Sequence, residues 1–277
     1  MRDYKILAHR GASAYAPENT MPAFELAVAQ HADGFEIDIY FTRDGRIAVI
    51  HDDTINRTSD GKGAIAQYTL EELKAFNFNK GFESKYPLAR IPSLEEVLDI
   101  VKKHNLILNI EIKDSLLNRS VSNGLGEAAA ELVRKWDLTE NVIFSSFNHI
   151  ALVGLKKACP EVKTGLLYFE NLYNAGQYAL TAEAYALHPF FVNVSETMVS
   201  AAHEAGVVVN PYTINNPELM KLFRKFGVDG IITDCPDVCY DVRSGDAEGP
   251  DGGEEVLAAL TQEYLQMITD YLSRDEK

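Results

Sequence analysis

The sequence predicts an α/β protein that folds as a (β/α)8 TIM barrel with a small insertion after strand 2 and an extra C-terminal helix. Short β-like runs alternate with helical patterns, which is typical of βα units that build a parallel sheet. Eight such units occupy about 235 of the 277 residues, and a closed barrel accommodates eight parallel strands better than an open doubly wound sheet.

The predicted strands are short apolar runs bounded by turn residues. They are Lys5 to His9, Gly34 to Tyr40, Leu106 to Lys113, Asn141 to Phe147, Lys163 to Phe169, Ala184 to His188, Val207 to Tyr212 and Gly230 to Asp234. The predicted helices are Met21 to His31, Ser93 to His104, Gly124 to Trp136, His149 to Ala158, Thr197 to Ala205 and Pro217 to Phe226. The helical pattern is weakest between the fifth and sixth strands.

The second unit contains an insertion. A turn at Asp44-Gly45-Arg46 leads to an additional strand, Ile47 to His51, and then to a long polar stretch. Because loops of that length inside a compact domain are usually functional or carry structure of their own, we expect residues 52–88 to lie over the barrel mouth.

The domain organisation follows from a change in composition after the eighth strand. Residues 1–243 form the predicted barrel domain, residues 244–253 have the Gly-rich and Asp-rich composition of a linker, and residues 254–277 contain an amphipathic helix from Glu254 to Ser273. Its apolar stripe consists of Val256, Leu257, Leu260, Tyr264, Met267, Ile268, Tyr271 and Leu272. Two interpretations stay open: the helix covers the outside of the eighth strand, or it pairs with a second copy in a homo-oligomer.

Charge and cysteine content limit the partners and the location. A net charge of −15 without a cluster of Lys or Arg argues against nucleic acid and anionic membrane surfaces. Three cysteines without zinc-like pairing indicate reduced thiols. No apolar run has the length of a signal sequence or a membrane span, so we expect a cytoplasmic protein with no stable membrane insertion.

Acidic residues stand in two strands where a buried sheet should be apolar. Side chains alternate along a strand, so Glu36 and Asp38 point to one face. Glu111 and Lys113 repeat the pattern in the third strand. Carboxylates without cysteine or clustered histidine favour a hard divalent cation, Mg²⁺ or Ca²⁺, over zinc.

Other polar residues end the predicted strands, where the catalytic groups of such barrels gather. His9 and His51 suit proton transfer near neutral pH, and Arg10 and Lys113 would attract a negative group such as phosphate. Each has a structural alternative: a solvated face for the acids, a hydrogen-bonded role for each histidine, and an ion pair for Glu111 with Lys113. Two further strand ends also have structural alternatives, His188 as a loop residue and Asp234 as part of a turn. The common location of these groups favours a functional site.

These residues resemble the motifs of the glycerophosphodiester phosphodiesterase family. The similarity extends from about Tyr4 to Val238 and leaves out the tail. Its motifs are His9-Arg10-Gly11, Ala16-Pro17-Glu18-Asn19-Thr20, Glu36-Ile-Asp38, Thr42-Arg43-Asp44-Gly45, His51-Asp52, Arg57-Thr58, Gly61-Lys62-Gly63, Glu111-Ile-Lys113, Ser145-Ser146-Phe147 and Gly230-Ile-Ile-Thr233-Asp234.

The resemblance implies a metal-dependent TIM barrel that hydrolyses glycerophosphodiesters, small molecules, to glycerol 3-phosphate and an alcohol. It implies that Glu36, Asp38 and Glu111 hold the divalent cation and that His9 and His51 are the general acid and base. It also implies that Arg10, Lys113, Phe147 and Tyr212 contact the substrate. Tyr212 replaces a tryptophan usual in the family, so preference for the alcohol is expected to differ.

Two other functions remain open at this stage. A lysophospholipase D on the same scaffold would need an apolar groove at the mouth, and the insertion offers only scattered aromatic residues. A catalytically silent binding module would be expected to have lost part of the set of His9, His51, Glu36, Asp38, Glu111 and Lys113. The identity of the metal, the preferred alcohol, the choice of acid and base, and attack through a cyclic phosphate or directly by water also stay open.

Overall fold

The computed structural model describes residues 3–113, 124–245 and 252–274, with side chains as far as Gln266. Its strands are β1 (Lys5–His9), β2 (Gly34–Phe41), β3 (Ile47–Val49), β4 (Ile107–Ile112), β5 (Val142–Ser146), β6 (Lys163–Tyr168), β7 (Ala186–Pro189), β8 (Val208–Val209) and β9 (Gly230–Thr233). The helices are α1 (Met21–Ala29), α2 (Leu70–Ala75), α3 (Leu94–His104), α4 (Leu125–Lys135), α5 (His149–Ala158), α6 (Ala175–Thr181), α7 (Glu196–Glu204), α8 (Pro217–Phe226), α9 (Pro236–Ser244) and α10 (Gly253–Arg274).

Eight parallel strands form a nearly closed barrel with helices between them, which confirms the predicted fold. The strand order is β8-β7-β6-β5-β4-β2-β1-β9, and β3 pairs antiparallel with β2. Backbone bonds from Asp229 N to Val209 O and from Ile232 N to Pro211 O, 2.9 and 3.1 Å long, bridge the seam between β8 and β9. Strand β8 is shorter than predicted: Tyr212 N still donates to Pro189 O at 3.1 Å, but Pro189 on β7 has no N–H to continue the ladder in the other direction.

Two helices differ from the predictions. Helix α9, which begins with proline, packs on β1 and β9 and was not predicted from the sequence. It covers the outside of the last strand, the place that one interpretation assigned to the C-terminal helix. That helix, α10, begins at Gly253 and packs against α8 instead. Residues 246–251 of the predicted linker and residues 275–277 lie outside the described residues, as do the side chains of the stripe beyond Gln266.

The insertion has its own small apolar core beside the barrel. Strand β3 leads into the insertion, which contains α2. The side chain of Thr69 caps the N-terminus of α2 by accepting a hydrogen bond from Glu72 N. Its buried residues are Tyr40, Ala48, Ile50, Ile55, Ile65, Leu70, Leu73, Phe78 and Ile91. The insertion is therefore a folded unit and holds the residues that follow His51 in a fixed place.

Every helix in the described part of the chain is too short or too polar to span a lipid bilayer.

Gly34→Ala is expected to lower the free energy of unfolding by about 1–3 kcal/mol or more. An added Cβ would lie 2.1 Å from the carbonyl oxygen of Ile107 on the neighbouring strand β4, and a paired backbone cannot yield. Urea unfolding would measure the loss. The control is Gly154→Ala in α5, where an added Cβ meets no described atom within 4 Å. Its expected effect is a gain of about 0.5–1 kcal/mol. Equal free energies of unfolding for Gly34→Ala and the native protein would contradict the close approach of β2 to β4 at Gly34.

Candidate active site

Three buried carboxylates form a cluster near the C-terminal ends of β2 and β4. The strand register places Asp38 opposite Glu111, and one oxygen from each of Glu36, Asp38 and Glu111 lies within 4.8 Å of the others. The exposed fractions of these residues are only 4, 0 and 8 %. These oxygens are ligands of the kind that Mg²⁺ and Ca²⁺ prefer.

The charges in this cluster are incompletely balanced by protein groups. Burial and the neighbouring carboxylates of Asp38 and Glu111 raise the pKa of Glu36 well above its usual range. Burial also raises the pKa of Glu111 to about 7, although Lys113 acts in the opposite direction. Burial would raise the pKa of Asp38 as well, but Lys113 and Arg10 hold it below its ordinary value. Burial and mutual repulsion therefore oppose ionisation of Glu36 and Glu111 unless a further cation is present.

Two cations flank the carboxylates. Lys113 Nζ lies 2.7 Å from Glu111 Oε1 and 3.3 Å from Asp38 Oδ1, and Arg10 Nε lies 3.5 Å from Asp38 Oδ2. Asn19 donates a 2.8 Å bond to the same Oδ2. Within the described chain, no donor makes a hydrogen bond of good geometry to the buried Asp38 Oδ1. An acceptor of this kind suits a divalent cation.

His9 is oriented by an acid from the last strand of the barrel. Its Nδ1 lies 2.6 Å from Asp234 Oδ1, and its Nε2 is 3.9 Å from Glu36 Oε2. Ser13 and Asn215 donate further bonds to Asp234. Burial acts to raise the pKa of Asp234, but the hydrogen bonds from His9, Asn215 and Ser13 lower it to about 2. Asp234 is therefore a stable anion that accepts a hydrogen bond from His9 Nδ1. The other ring nitrogen of His9, Nε2, stays available to the cavity that His9 lines.

His51 has a matching partner on the other side of the cavity. Its Nδ1 lies 2.8 Å from Asp52 Oδ1. Arg57 holds that carboxylate with a 2.7 Å bond and also bonds Glu18, which in turn accepts a 3.0 Å bond from Arg10. Burial lowers the pKa of His51, against the opposing effect of Asp38. The insertion thereby ties one histidine to the arginine beside the carboxylates.

Aromatic rings from the ends of β5 to β8 line the opposite side of the site. We call Phe147, Phe169, Phe190 and Tyr212 the aromatic wall. Phe147 and Phe169 stack with centroids 4.8 Å apart, and Tyr212 meets both rings edge-on at 6.1 Å. Phe147 and Phe169 are 41 and 49 % exposed. A cavity of about 150 Å³ lies between this wall and the polar groups His9, Arg10, Glu36, His51, Glu111 and Lys113.

The structure brings all nine predicted site residues into one place. They are Glu36, Asp38, Glu111, His9, His51, Arg10, Lys113, Phe147 and Tyr212, and apart from Asp38 each of them lines the cavity. His188, by contrast, is fully buried inside the barrel with Nε2 3.2 Å from Asn210 Nδ2, which favours its structural interpretation.

The sequence did not single out three groups as parts of the site. Asn19 and Asn215 bond the acids, and Phe169 lines the cavity. Asn19 belongs to one of the family motifs and Phe169 ends a predicted strand, so their positions in the sequence could have indicated a role in the site. The position of Asn215 gave no such indication, because this residue lies six residues beyond the end of the short strand β8.

Comparisons with known proteins identify the family of the chain. The model of the Glycerophosphoryl diester phosphodiesterase family matches residues 9–238. The chain is 40% identical over 241 residues to the glycerophosphodiester phosphodiesterase of Caldanaerobacter subterraneus subsp. tengcongensis, covering 87% of this chain and 98% of that protein.

Two solved structures are similar in fold. The Oleispira antarctica phosphodiesterase in complex with the product sn-glycerol-3-phosphate is 30% identical, with a TM-score of 0.77 over 87% of this chain and 96% of that one. A crystal structure from Silicibacter pomeroyi, at 22% identity, gives a TM-score of 0.78 over 87% of this chain and 93% of that one, and supports the barrel fold. The chain therefore belongs to the glycerophosphoryl diester phosphodiesterase family and is a phosphoric diester hydrolase that acts on glycerophosphodiesters.

Proposed function

We propose that the enzyme hydrolyses glycerophosphodiesters to glycerol 3-phosphate and an alcohol with His9 and His51 as acid and base. We further propose that it depends on one divalent cation, Mg²⁺ or Ca²⁺, held by Glu36, Asp38 and Glu111. One observation supports both proposals: a buried carboxylate cluster, two histidines paired with acids, and the cationic side chains of Arg10 and Lys113 converge on one cavity. The glycerol phosphate product bound to the Oleispira relative supports the substrate class.

The residues fit a divalent cation. One oxygen from each of the three carboxylates lies within 4.8 Å of the others, and the buried Asp38 Oδ1 accepts no hydrogen bond from the described groups. When bound, the cation would supply Lewis-acid polarisation of a phosphate oxygen and neutralise its charge.

The protein's own groups would perform the proton transfers and hold the phosphate. Asp234 and Asp52 bond Nδ1 of His9 and His51, which favours the proton on each Nδ1 and leaves each Nε2 to take or give a proton. One histidine would deprotonate the attacking hydroxyl, either a glycerol hydroxyl or water, and the other would protonate the departing alkoxide. Arg10 and Lys113 would bind the phosphate oxygens.

A direct assay tests this function. Purified protein incubated with glycerophosphocholine and with glycerophosphoethanolamine, each with and without added Mg²⁺ or Ca²⁺, is expected to release glycerol 3-phosphate. Coupled oxidation by glycerol-3-phosphate dehydrogenase measures that product. Release of the alcohol phosphate in place of glycerol 3-phosphate would contradict the proposed bond cleavage.

Asp234→Asn is expected to lower kcat on the order of 10²-fold or more, because an amide can donate to Nδ1 of His9 and stabilise the wrong tautomer. KM is expected to change much less. Steady-state kinetics on glycerophosphocholine would separate the two parameters. Asp241→Asn on the exposed surface of α9 is the matched control, and equal kcat values for the two variants would refute the positioning of His9 by Asp234.

A second substrate class, the lysophospholipase D alternative, is favoured by one feature. The aromatic wall gives the mouth the apolar surface that the insertion was expected to lack, since Phe147 and Phe169 are about half exposed. Comparing turnover of lysophosphatidylcholine and glycerophosphocholine would decide between them. The silent binding module is set aside, because the family consists of hydrolases and the site residues are all in place.

A cytoplasmic location and self-association through α10 stay predictions. Cys159, Cys235 and Cys239 are free thiols, which suits a reducing compartment. The described part of α10 packs on α8 of its own chain. Cell fractionation would test the location, and light scattering on the full chain would test the oligomeric state.

A further inference from the structure

The C-terminal helix α10 reaches the aromatic wall although it lies beyond the residues that match the family. The family match ends at residue 238, and α10 begins at Gly253. The Tyr264 ring lies against the Phe190 ring with centroids 4.8 Å apart and planes inclined by 49°. Phe190 belongs to the aromatic wall but does not itself line the cavity, so a segment outside the matched domain packs on the outer part of that wall.

The contact at Phe190 is continuous with the rings that face the cavity. Phe190 packs on Tyr212 at 5.8 Å and on Phe169 at 5.6 Å. Tyr212 and Phe169 line the cavity, and Phe169 stacks on Phe147. Tyr212 is also fixed by a 3.2 Å bond from its hydroxyl to Tyr168 O. Tyr264 therefore stands at the outer end of a connected set of rings whose inner end faces the substrate cavity.

Helix α10 is anchored firmly enough to fix the position of Tyr264. Gly253 allows a close approach to α8, because an added Cβ there would lie 2.6 Å from Leu222 Cβ and 2.9 Å from Glu218 O. Val256, Leu257 and Leu260 pack against the main core. The first turns of the helix are thus held by α8, and Tyr264 follows one turn later.

The polar chemistry and the aromatic wall occupy different parts of the barrel. His9, the carboxylates and Lys113 come from β1, β2 and β4, whereas the wall comes from the ends of β5 to β8. The remaining lining of the cavity is mainly apolar and includes the three rings of Phe147, Phe169 and Tyr212. A phosphodiester held by the polar groups would place its alcohol portion against these rings.

We propose that Tyr264 is a positioning residue that holds Phe190 and Tyr212 in place, so that α10 sets the preference for the alcohol portion of the substrate. This proposal rests on the proposed function of the site. Without the Tyr264 ring, Phe190 loses a packing partner and the wall can rearrange. Binding of alcohols that contact the wall is then weakened, while the proton transfers at His9 and His51 are unaffected.

The test compares substrates that differ only in the alcohol. Glycerophosphocholine and the p-nitrophenyl ester of glycerol 3-phosphate offer groups that pack on aromatic rings, and the methyl ester offers almost none. Tyr264→Ala is expected to raise KM for the first two about 3- to 10-fold, the range that corresponds to loss of one aromatic contact. KM for the methyl ester and kcat for all three are expected to change less than about 2-fold.

Three further variants sharpen the result. Tyr264→Phe keeps the ring and is expected to restore native KM values, whereas Tyr264→Leu keeps apolar volume without the ring and should behave like Tyr264→Ala. Glu263→Ala, on the exposed side of the same helix, is the matched control. Circular dichroism melting of the full-length variants checks that the fold is retained.

Other outcomes overturn the proposal. Native KM values for Tyr264→Ala on all substrates, or a fall in kcat that is equal for all three esters, would show that α10 does not set alcohol preference. If the native protein hydrolyses none of the esters, the proposed function itself fails, and this result is distinct because it does not depend on any Tyr264 variant.

Discussion

Replacing either His9 or His51 by alanine is expected to lower kcat about 10²- to 10⁴-fold, the usual contribution of a positioned general acid or base. Each imidazole is bonded through Nδ1 to a carboxylate, Asp234 or Asp52, and each lines the same cavity. Removing one ring deletes one proton transfer and leaves the phosphate-binding cations in place. KM is therefore expected to change little, and steady-state kinetics on glycerophosphocholine would measure both parameters.

A matched control exists elsewhere in the chain. His203 on α7 pairs with Asp229 at 2.8 Å, a similar His–Asp pair outside the cavity. His203→Ala is expected to keep kcat within about 2-fold of the native value, since it removes no group near the reaction. Near-normal kcat for His9→Ala or His51→Ala, with retained folding, would refute the acid and base assignment.

Strand alternation and strand ends were enough to predict the polar half of the site. Glu36, Asp38 and Glu111 share the barrel interior because parallel strands bring equivalent positions side by side, and Asp38 indeed faces Glu111. His9 and Lys113 follow from the rule that catalytic groups gather at the carboxyl ends of strands. These features depend on local periodicity, which a sequence displays directly.

The aromatic half was not predictable in the same way. Phe169 and Phe190 look like ordinary apolar residues in the sequence, and only the order of β6, β7 and β8 around the barrel brings them onto Tyr212. Helix α9 was missed because it is short and begins at Pro236 after a strand end that reads as a turn. The contact of Tyr264 with Phe190 depends on the docking of α10 on α8, a tertiary event that periodicity cannot encode.

Exhaustive treatment with EDTA is expected to abolish turnover, and Mg²⁺ or Ca²⁺ is expected to restore it. The carboxylate cluster contains three acids and only two flanking cations, and burial with mutual repulsion raises the pKa of both Glu36 and Glu111. A divalent cation would offset the remaining negative charge and would bind the folded state but not the unfolded chain. At 100 times its dissociation constant it should stabilise the fold by about 2.7 kcal/mol, which a thermal shift assay would detect.

The same pKa shifts fix the direction of the pH dependence. Burial raises the pKa of Glu36 well above its usual range and that of Glu111 to about 7, so binding of a cation to the ionised carboxylates competes with their protonation. Affinity for Mg²⁺ is therefore expected to fall as the pH is lowered through 7, and calorimetry in two buffers of different ionisation enthalpy would measure the protons released. Glu111→Gln removes one ligand and its proton, so both affinity and proton release should fall. Glu131→Gln on the surface of α4 should change neither. Full turnover after chelation would show that the mechanism does not need the cation. Binding of Mg²⁺ without proton release would show that it does not bind at these carboxylates.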